Sequence, residues 1–268
     1  MRIGFDDVGC GEPVLLLHSS CSSKRQWHPI IKSLRDSYRI VAPDLLGYGD
    51  TDFPANPETF SIDDEVMLVE SLLDKVETKI HVVGHSYGGV VALAVAMKFP
   101  ERIRSLILHE PVVFQLTRTE GLGYIGQEIR DLSLVLQKEI NDGRHTDAAR
   151  VFFDYWQGEG SWGVLPSRVK NELSRVISKL PLEFRAIFET PYLLKDYAML
   201  KQSILVSAGT VGTPTAQKIT KVFAEGVGSK ILRSLVGVGH LAPITHPSMM
   251  NSLILEHLKA NPIADFRK

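Results

Sequence analysis

Cysteine is nearly absent from this 268-residue chain, which has only Cys10 and Cys21. Two cysteines do not make a disulfide framework, and neither belongs to a metal-ligand pattern. An excess of either charge is also missing. Thirty Lys and Arg face 31 Asp and Glu, for a formal net charge of −1. That removes the electrostatic case for nucleic acid or an anionic membrane surface as a partner. No apolar run reads as a membrane span: the uncharged stretch from Ile80 to Met97 holds two histidines, a serine and three glycines. Asp6 and Asp7 interrupt the N-terminus, so no signal peptide is expected. There is no internal repeat and no low-complexity segment. The expectation is a soluble, cytoplasmic protein that binds neither nucleic acid nor membrane.

What is present is enough apolar material, 44% of residues, to bury a sizeable core. Short β-branched or apolar runs alternate with helical patterns. An N-terminal strand within residues 1–13 leads to Val14-Leu15-Leu16-Leu17, a continuous apolar run that reads as a strand covered on both faces. A helix over Trp27–Leu34 and a strand over Arg39–Asp44 follow. Ile62 to Val76 places apolar residues at 62, 66, 69, 72, 73 and 76, a helical stripe. Ile80–Val83 and Arg104–Leu108 read as further strands. This alternation predicts right-handed crossovers and a mainly parallel sheet flanked by helices, an α/β fold.

From 113 to 198 the pattern turns helical, with helices expected over Gln127–Ile140, Asp147–Tyr155 and Arg168–Lys179. This stretch holds 11 of the chain's 21 aromatics. Beyond it come a strand at Ile204–Ser207, a helix over Pro214–Glu225, a strand over Lys230–Val236 and a closing helix over Ser248–Lys259. The economical division is a core formed by residues 1–112 and 199–268, interrupted by a helical lid at 113–198. A lid inserted between two strands should lie over the carboxyl ends of the strands, where such sheets bind ligands.

The most informative stretch is Gly84-His85-Ser86-Tyr87-Gly88, between the strand ending near Val83 and an uninterrupted helical run that stops before Pro100. A serine on a sharp strand-to-helix turn is forced into strained backbone and lifts its hydroxyl above the sheet edge. The turn leaves no room for side chains two positions either side, which accounts for glycine at 84 and 88. This arrangement resembles the nucleophile elbow of the α/β-hydrolase superfamily.

The resemblance covers residues 12–112 and 200–260 and implies an α/β-hydrolase fold. It assigns Ser86 as nucleophile. Its base would be His240, in the glycine-rich loop Gly237-Val238-Gly239-His240 after the last strand, in the superfamily's chain order of nucleophile, acid, histidine. The acid departs from the usual pattern. The usual Gly-x-x-Asp place reads Ala208-Gly209-Thr210-Val211-Gly212-Thr213-Pro214, with no carboxylate. Some members, certain haloalkane dehalogenases among them, carry the acid after the preceding strand. Glu110 occupies that position here. A glutamate at the end of a buried strand needs a partner, and a histidine loop nearby would supply one.

Two backbone N–H groups would hold a tetrahedral oxyanion. By position these are Tyr87, after the nucleophile, and Ser20, in the loop after the first long strand. The superfamily usually has His-Gly-x there; this chain has His18-Ser19-Ser20. Asp44 with Gly47-Tyr48-Gly49 resembles the superfamily's next motif and reads as support for the active-site loops.

The implied activity is hydrolysis of a carboxylic ester of a small or medium apolar substrate through Ser86, His240 and Glu110, with no metal and no organic cofactor. Carbon–carbon bond cleavage or perhydrolysis by the same triad are the alternatives, as is a binding protein that has kept the fold without the chemistry. Gly121-Leu122-Gly123-Tyr124-Ile125-Gly126 also spells a dinucleotide fingerprint. The polar run Thr117–Glu120 separates it from any strand, and a lid hinge explains the same glycines. The partner expected is a small-molecule substrate, and the chain is expected as a monomer or a homodimer.

Overall fold

The structure is a computed structural model and describes residues 1–228 and 231–264. Among the described residues seven strands form one sheet: β1 (Phe5–Val8), β2 (Glu12–Leu17), β3 (Tyr38–Pro43), β4 (Ile80–His85), β5 (Ile103–His109), β6 (Ser203–Gly209) and β7 (Ile231–Leu235). Their order across the sheet is β1-β3-β2-β4-β5-β6-β7. Among the described residues only β1 runs antiparallel to its neighbour, and the other pairings are parallel. Lys230, placed in the last strand by sequence, lies outside the described residues.

The continuous apolar run in β2 has the cause expected of it. Leu15 and Leu17 join the core on one face, while Val14 and Leu16 join the core on the other. Successive strand residues point to opposite faces, so a strand covered on both sides cannot alternate with polar residues. The second face is closed by α1 (His28–Leu34), through Ile30, Ile31 and Leu34, together with the C-terminal helix. The first face carries α2 (Ile62–Leu73) and α3 (Tyr87–Lys98). α2 is shorter than the apolar stripe predicts. It stops at Leu73, yet Val76 is still buried beyond its end.

Between β5 and β6 the chain is helical: α4 (Gly123–Asn141), α5 (His145–Gln157), α6 (Ser167–Val176), α7 (Leu180–Glu189) and the short α8 (Leu194–Tyr197). The helix expected over Arg168–Lys179 ends early, passes through a tight turn at Ile177–Lys179 and restarts as α7. Pro181 explains the break. It has no N–H to continue the ladder, but it is well suited to the first turn of a new helix. α7 is an element that the sequence reading did not separate. α9 (Pro214–Gly226) follows β6, and α10 (Ala242–Thr245) and α11 (Pro247–Ala260) end the described chain. Among the described residues no helix is long and apolar enough to cross a membrane.

The sheet order contains a switch point. From β2 the chain moves outward to β3 on one side; from β4 it moves to β5 on the other. The loops at the carboxyl ends of β2 and β4 therefore separate and leave a crevice. Ser20 and Ser86 stand on those two loops.

Candidate active site

Ser86 occupies the single position between β4 and α3, with φ 55° and ψ −117°. A non-glycine residue there is strained and persists only because its surroundings fix it. They do so through the backbone. The Ser86 N–H donates to the His109 carbonyl at 3.0 Å, and its carbonyl accepts from Gly89 at 2.9 Å. The flanking glycines are steric necessities. A Cβ on Gly88 would lie 2.3 Å from the Leu17 carbonyl oxygen and 2.5 Å from that of His18. A Cβ on Gly84 would lie 2.6 Å from the Gly88 oxygen.

His240 Nε2 lies 2.9 Å from Ser86 Oγ, and its Nδ1 lies 2.7 Å from Glu110 Oε2. The carboxylate can only accept, so Nδ1 carries the proton and Nε2 is free to accept from the serine. Glu110 is fully buried and sits just past β5 with φ 42°, a second strained residue. Its other oxygen, Oε1, accepts the Gly209 N–H at 2.8 Å. Burial alone would push this carboxyl up. The hydrogen bond from His240, the nearby His240 and His109 charges and the Gly209 N–H outweigh it and hold the group below its usual range. No carboxylate stands at 208–214, and Gly212 faces the Glu110–His240 pair from there.

Three more histidines frame the site, and each has burial as the main cause of a lowered pKa. His85 donates through Nε2 to the His240 carbonyl at 2.8 Å and stays well below its ordinary range. His109 is pushed down to about 4. His18, also pushed down to about 4, ties the loop after β2 to the loop after β3: its Nδ1–H donates to the Ser19 carbonyl at 2.8 Å and its Nε2 accepts from Leu45 N–H at 2.9 Å.

Ser19, where the superfamily pattern has glycine, does not need a left-handed backbone; among the described non-glycine residues only Cys21, Ser86 and Glu110 have positive φ. The Ser19 N–H is engaged by Gln26 Oε1 at 3.3 Å. The Ser20 and Tyr87 N–H groups, by contrast, have no acceptor among the described residues. Asp44, fully buried, accepts from the Lys24 N–H and Nζ, both at 2.7 Å, and from the Asp50 N–H at 2.9 Å. It links the loop after β3 to the loop that carries Ser20.

Ser86 and His240 line a cavity of about 740 Å³ whose walls include Ser20, Phe152, Trp156 and Leu165. Trp156, from α5, stacks on the His240 imidazole, with ring centres 4.5 Å apart and planes 20° apart. In the sequence this segment stands out only as rich in aromatics, with no sign that one of them would stack on the histidine. A buried ion cluster of Lys179, Glu65 and Glu183 is also absent from the sequence reading. A signal was available: Glu65 interrupts the apolar stripe of α2, and a lysine and a glutamate, Lys179 and Glu183, stand four residues apart in an otherwise apolar stretch.

Among the described residues no group of three or more His, Cys, Asp and Glu side chains is arranged to hold a metal ion. The glycines at 121, 123 and 126 do not form a strand-to-helix turn. A tight turn at Phe114–Arg118 precedes them, and added side chains at 121 and 123 would meet open space.

Residues 12–154, just over half of the chain, match the family model described as alpha/beta hydrolase fold. The chain belongs to the alpha/beta hydrolase fold family. Its curated relatives include a 2-hydroxy-6-oxo-2,4-heptadienoate hydrolase of Pseudomonas putida, 34% identical over 126 residues, 46% of this chain and 45% of that protein. A putative 2-succinyl-6-hydroxy-2,4-cyclohexadiene-1-carboxylate synthase of Bacillus subtilis is 31% identical over 160 residues, 59% of this chain and 55% of the relative. The chain thus spans about half the length of the curated relatives it matches. Similarity to solved structures is fold-level and nearly complete. MenH from S. aureus superposes with a TM-score of 0.79 at 22% identity, covering 97% of this chain and 98% of that one. A thermophilic esterase from Thermogutta terrifontis gives 0.75 at 22% identity, covering 96% and 93%.

Proposed function

We propose that this alpha/beta hydrolase fold protein is a serine hydrolase that cleaves a carboxylic ester of a small or medium apolar substrate. The observation that carries the reading is the unbroken chain of hydrogen bonds from Ser86 Oγ through His240 to Glu110, at 2.9 and 2.7 Å, opening on an aromatic-lined cavity.

In this mechanism Ser86 attacks the ester carbonyl while His240 Nε2 takes its proton. Glu110 keeps the imidazole in the reactive tautomer and stabilises the imidazolium. The Tyr87 and Ser20 N–H groups, which have no acceptor among the described residues, bind the oxyanion. His240 then protonates the leaving alcohol. Water, activated by the same imidazole, releases the acid from the acyl-enzyme. The helices of residues 113–198 act as the lid, and Phe152, Phe153 and Trp156 receive the apolar part of the substrate.

A second reading rests on the Pseudomonas putida relative, by name a 2-hydroxy-6-oxo-2,4-heptadienoate hydrolase. Hydrolysis of such a ketone breaks a carbon–carbon bond, and the same three side chains can serve it.

The test is hydrolysis of p-nitrophenyl esters from acetate to decanoate by the wild type and Ser86→Ala. Turnover lost in Ser86→Ala, with a chain-length optimum, supports the ester reading. Equal slow rates in both proteins overturn it, and turnover of a 6-oxo-dienoate instead would establish the second.

A further inference from the structure

Beneath the two proposed oxyanion donors lies a charged cluster that no step above uses. Lys179, Glu65 and Glu183 are all fully buried. Lys179 Nζ donates to Glu65 Oε1 at 2.8 Å, to Glu183 Oε1 at 3.3 Å and to the Leu46 carbonyl at 2.6 Å. The ammonium also lies over the rings of Tyr48, Phe60 and Tyr87, 4.7 to 5.2 Å from their centres. Burying one ammonium with two carboxylates is a poor route to stability, because well-packed apolar residues of similar volume usually do as well or better. The cluster therefore calls for a reason other than stability.

Its outward contacts supply one. Glu183 Oε2 accepts the Ser20 hydroxyl at 2.5 Å. Glu65 Oε1 accepts the Tyr87 hydroxyl at 3.1 Å, and Glu65 Oε2 accepts the Leu46 N–H at 3.0 Å. The backbone N–H groups of Ser20 and Tyr87 face no acceptor among the described residues. One cluster thus grips the side chains of both. The grip is needed most at Ser20, whose neighbour Cys21 has φ 54°, a conformation that surrounding contacts must enforce. The members come from separate parts of the chain: Glu65 from α2, Lys179 and Glu183 from the helical segment between β5 and β6.

We propose that Glu183, Lys179 and Glu65 are positioning residues for the oxyanion hole: Glu183 sets the Ser20 loop, Glu65 sets Tyr87, and Lys179 locks the two carboxylates together across the junction of core and lid. The inference rests on the serine-hydrolase reading. Oxyanion donors act by being fixed before charge develops, so loosening them slows the chemical step without weakening ground-state binding. It also makes the seating of α7 a condition for a complete hole.

The experiment compares wild type, Ser20→Ala and Glu183→Gln. It reads kcat and KM on the best p-nitrophenyl ester, and the rate at which a fluorophosphonate probe labels Ser86. Both variants should lose about 10- to 100-fold in kcat and in labelling rate, with KM within about two-fold. Ser20→Ala removes only one hydroxyl, so it decides the matter if Glu183→Gln fails to fold. If the wild type labels and the folded variants label and turn over at the wild-type rate, or if only KM changes, the positioning role is refuted. If the wild type itself neither labels nor turns over any ester, the serine-hydrolase reading has failed and this inference falls with it.

Discussion

Glu110→Gln is the substitution whose consequence the structure dictates most completely. The Gly209 N–H donates to Glu110 Oε1 at 2.8 Å, so a glutamine there must place its carbonyl oxygen on that side. The opposite orientation would set two donors against each other. The NH₂ group then faces His240 Nδ1, where the carboxylate oxygen stood at 2.7 Å. Nδ1 must become an acceptor, and the imidazole proton moves to Nε2, which faces Ser86 Oγ at 2.9 Å. That tautomer cannot take the serine proton. Its counter-charge for the imidazolium is gone as well. A carboxylate-to-amide change of this kind costs about 10⁴-fold in kcat in a serine protease. We expect a loss of about 10³- to 10⁴-fold here, or roughly 4 to 5.5 kcal/mol of barrier. The assay is kcat on the best ester, with circular dichroism to verify the fold. Retention of more than about a tenth of wild-type kcat would refute the reasoning.

Gly212 offers a rescue. A Cβ built there would lie 3.8 Å from Glu110 Oε1 and 3.8 Å from the His240 backbone nitrogen, in ordinary contact. Gly212→Asp in a Glu110→Ala background would bring a carboxylate toward His240 from the superfamily's more usual position. It should recover at least about ten-fold over Glu110→Ala alone.

Three further outcomes follow from the same geometry. Gly88→Ala forces a methyl group against the Leu17 and His18 carbonyls at 2.3 and 2.5 Å; it should destabilise the fold by about 3 kcal/mol, a Tm drop of roughly 6–12 °C in a melting experiment, and an unchanged Tm would contradict the close approach. His18 and His109, held neutral to about pH 4 by burial, take up protons below about 6.5 only when the chain unfolds, so the unfolded state binds more protons in that window. Stability should therefore fall as pH drops from 6.5 to 4, by up to about 1.4 kcal/mol per pH unit for each histidine, in urea titrations at several pH values; a flat profile would mean these imidazoles are not buried neutral. Trp156→Leu removes the ring stacked 4.5 Å from His240. Loss of about 1 kcal/mol of cation–π stabilisation of the imidazolium should lower kcat roughly five-fold, and an unchanged kcat would show that the stack is only a wall of the cavity.

Much of the architecture is legible in the sequence. Strand and helix periods, the proline after Phe99 and the glycines around Ser86 are local features, and local sterics decide them. Where local reading slipped, local chemistry explains it. The helix expected to run through Lys179 breaks because Pro181 cannot continue it, and proline then opens α7. The order of loops was legible too: Ser86, Glu110 and His240 could each be set at the carboxyl end of a strand or in the loop after one.

Distance along the chain marks the limit. His240 meets Ser86 across 154 residues and Glu110 across 130, while Ser20 meets Glu183 across 163. Whether a glutamate after β5 can reach a histidine after β7 depends on the sheet order and on the bend at Glu110, not on either local sequence. The same holds for Trp156 lying flat on His240, and for one lysine holding two carboxylates under the loop of Ser20. Which elements form and which loops carry reactive side chains follow from residues close together in the chain, because backbone sterics and hydrophobic periodicity act over a few residues. Which of those side chains touch is set instead by packing between elements far apart in the chain.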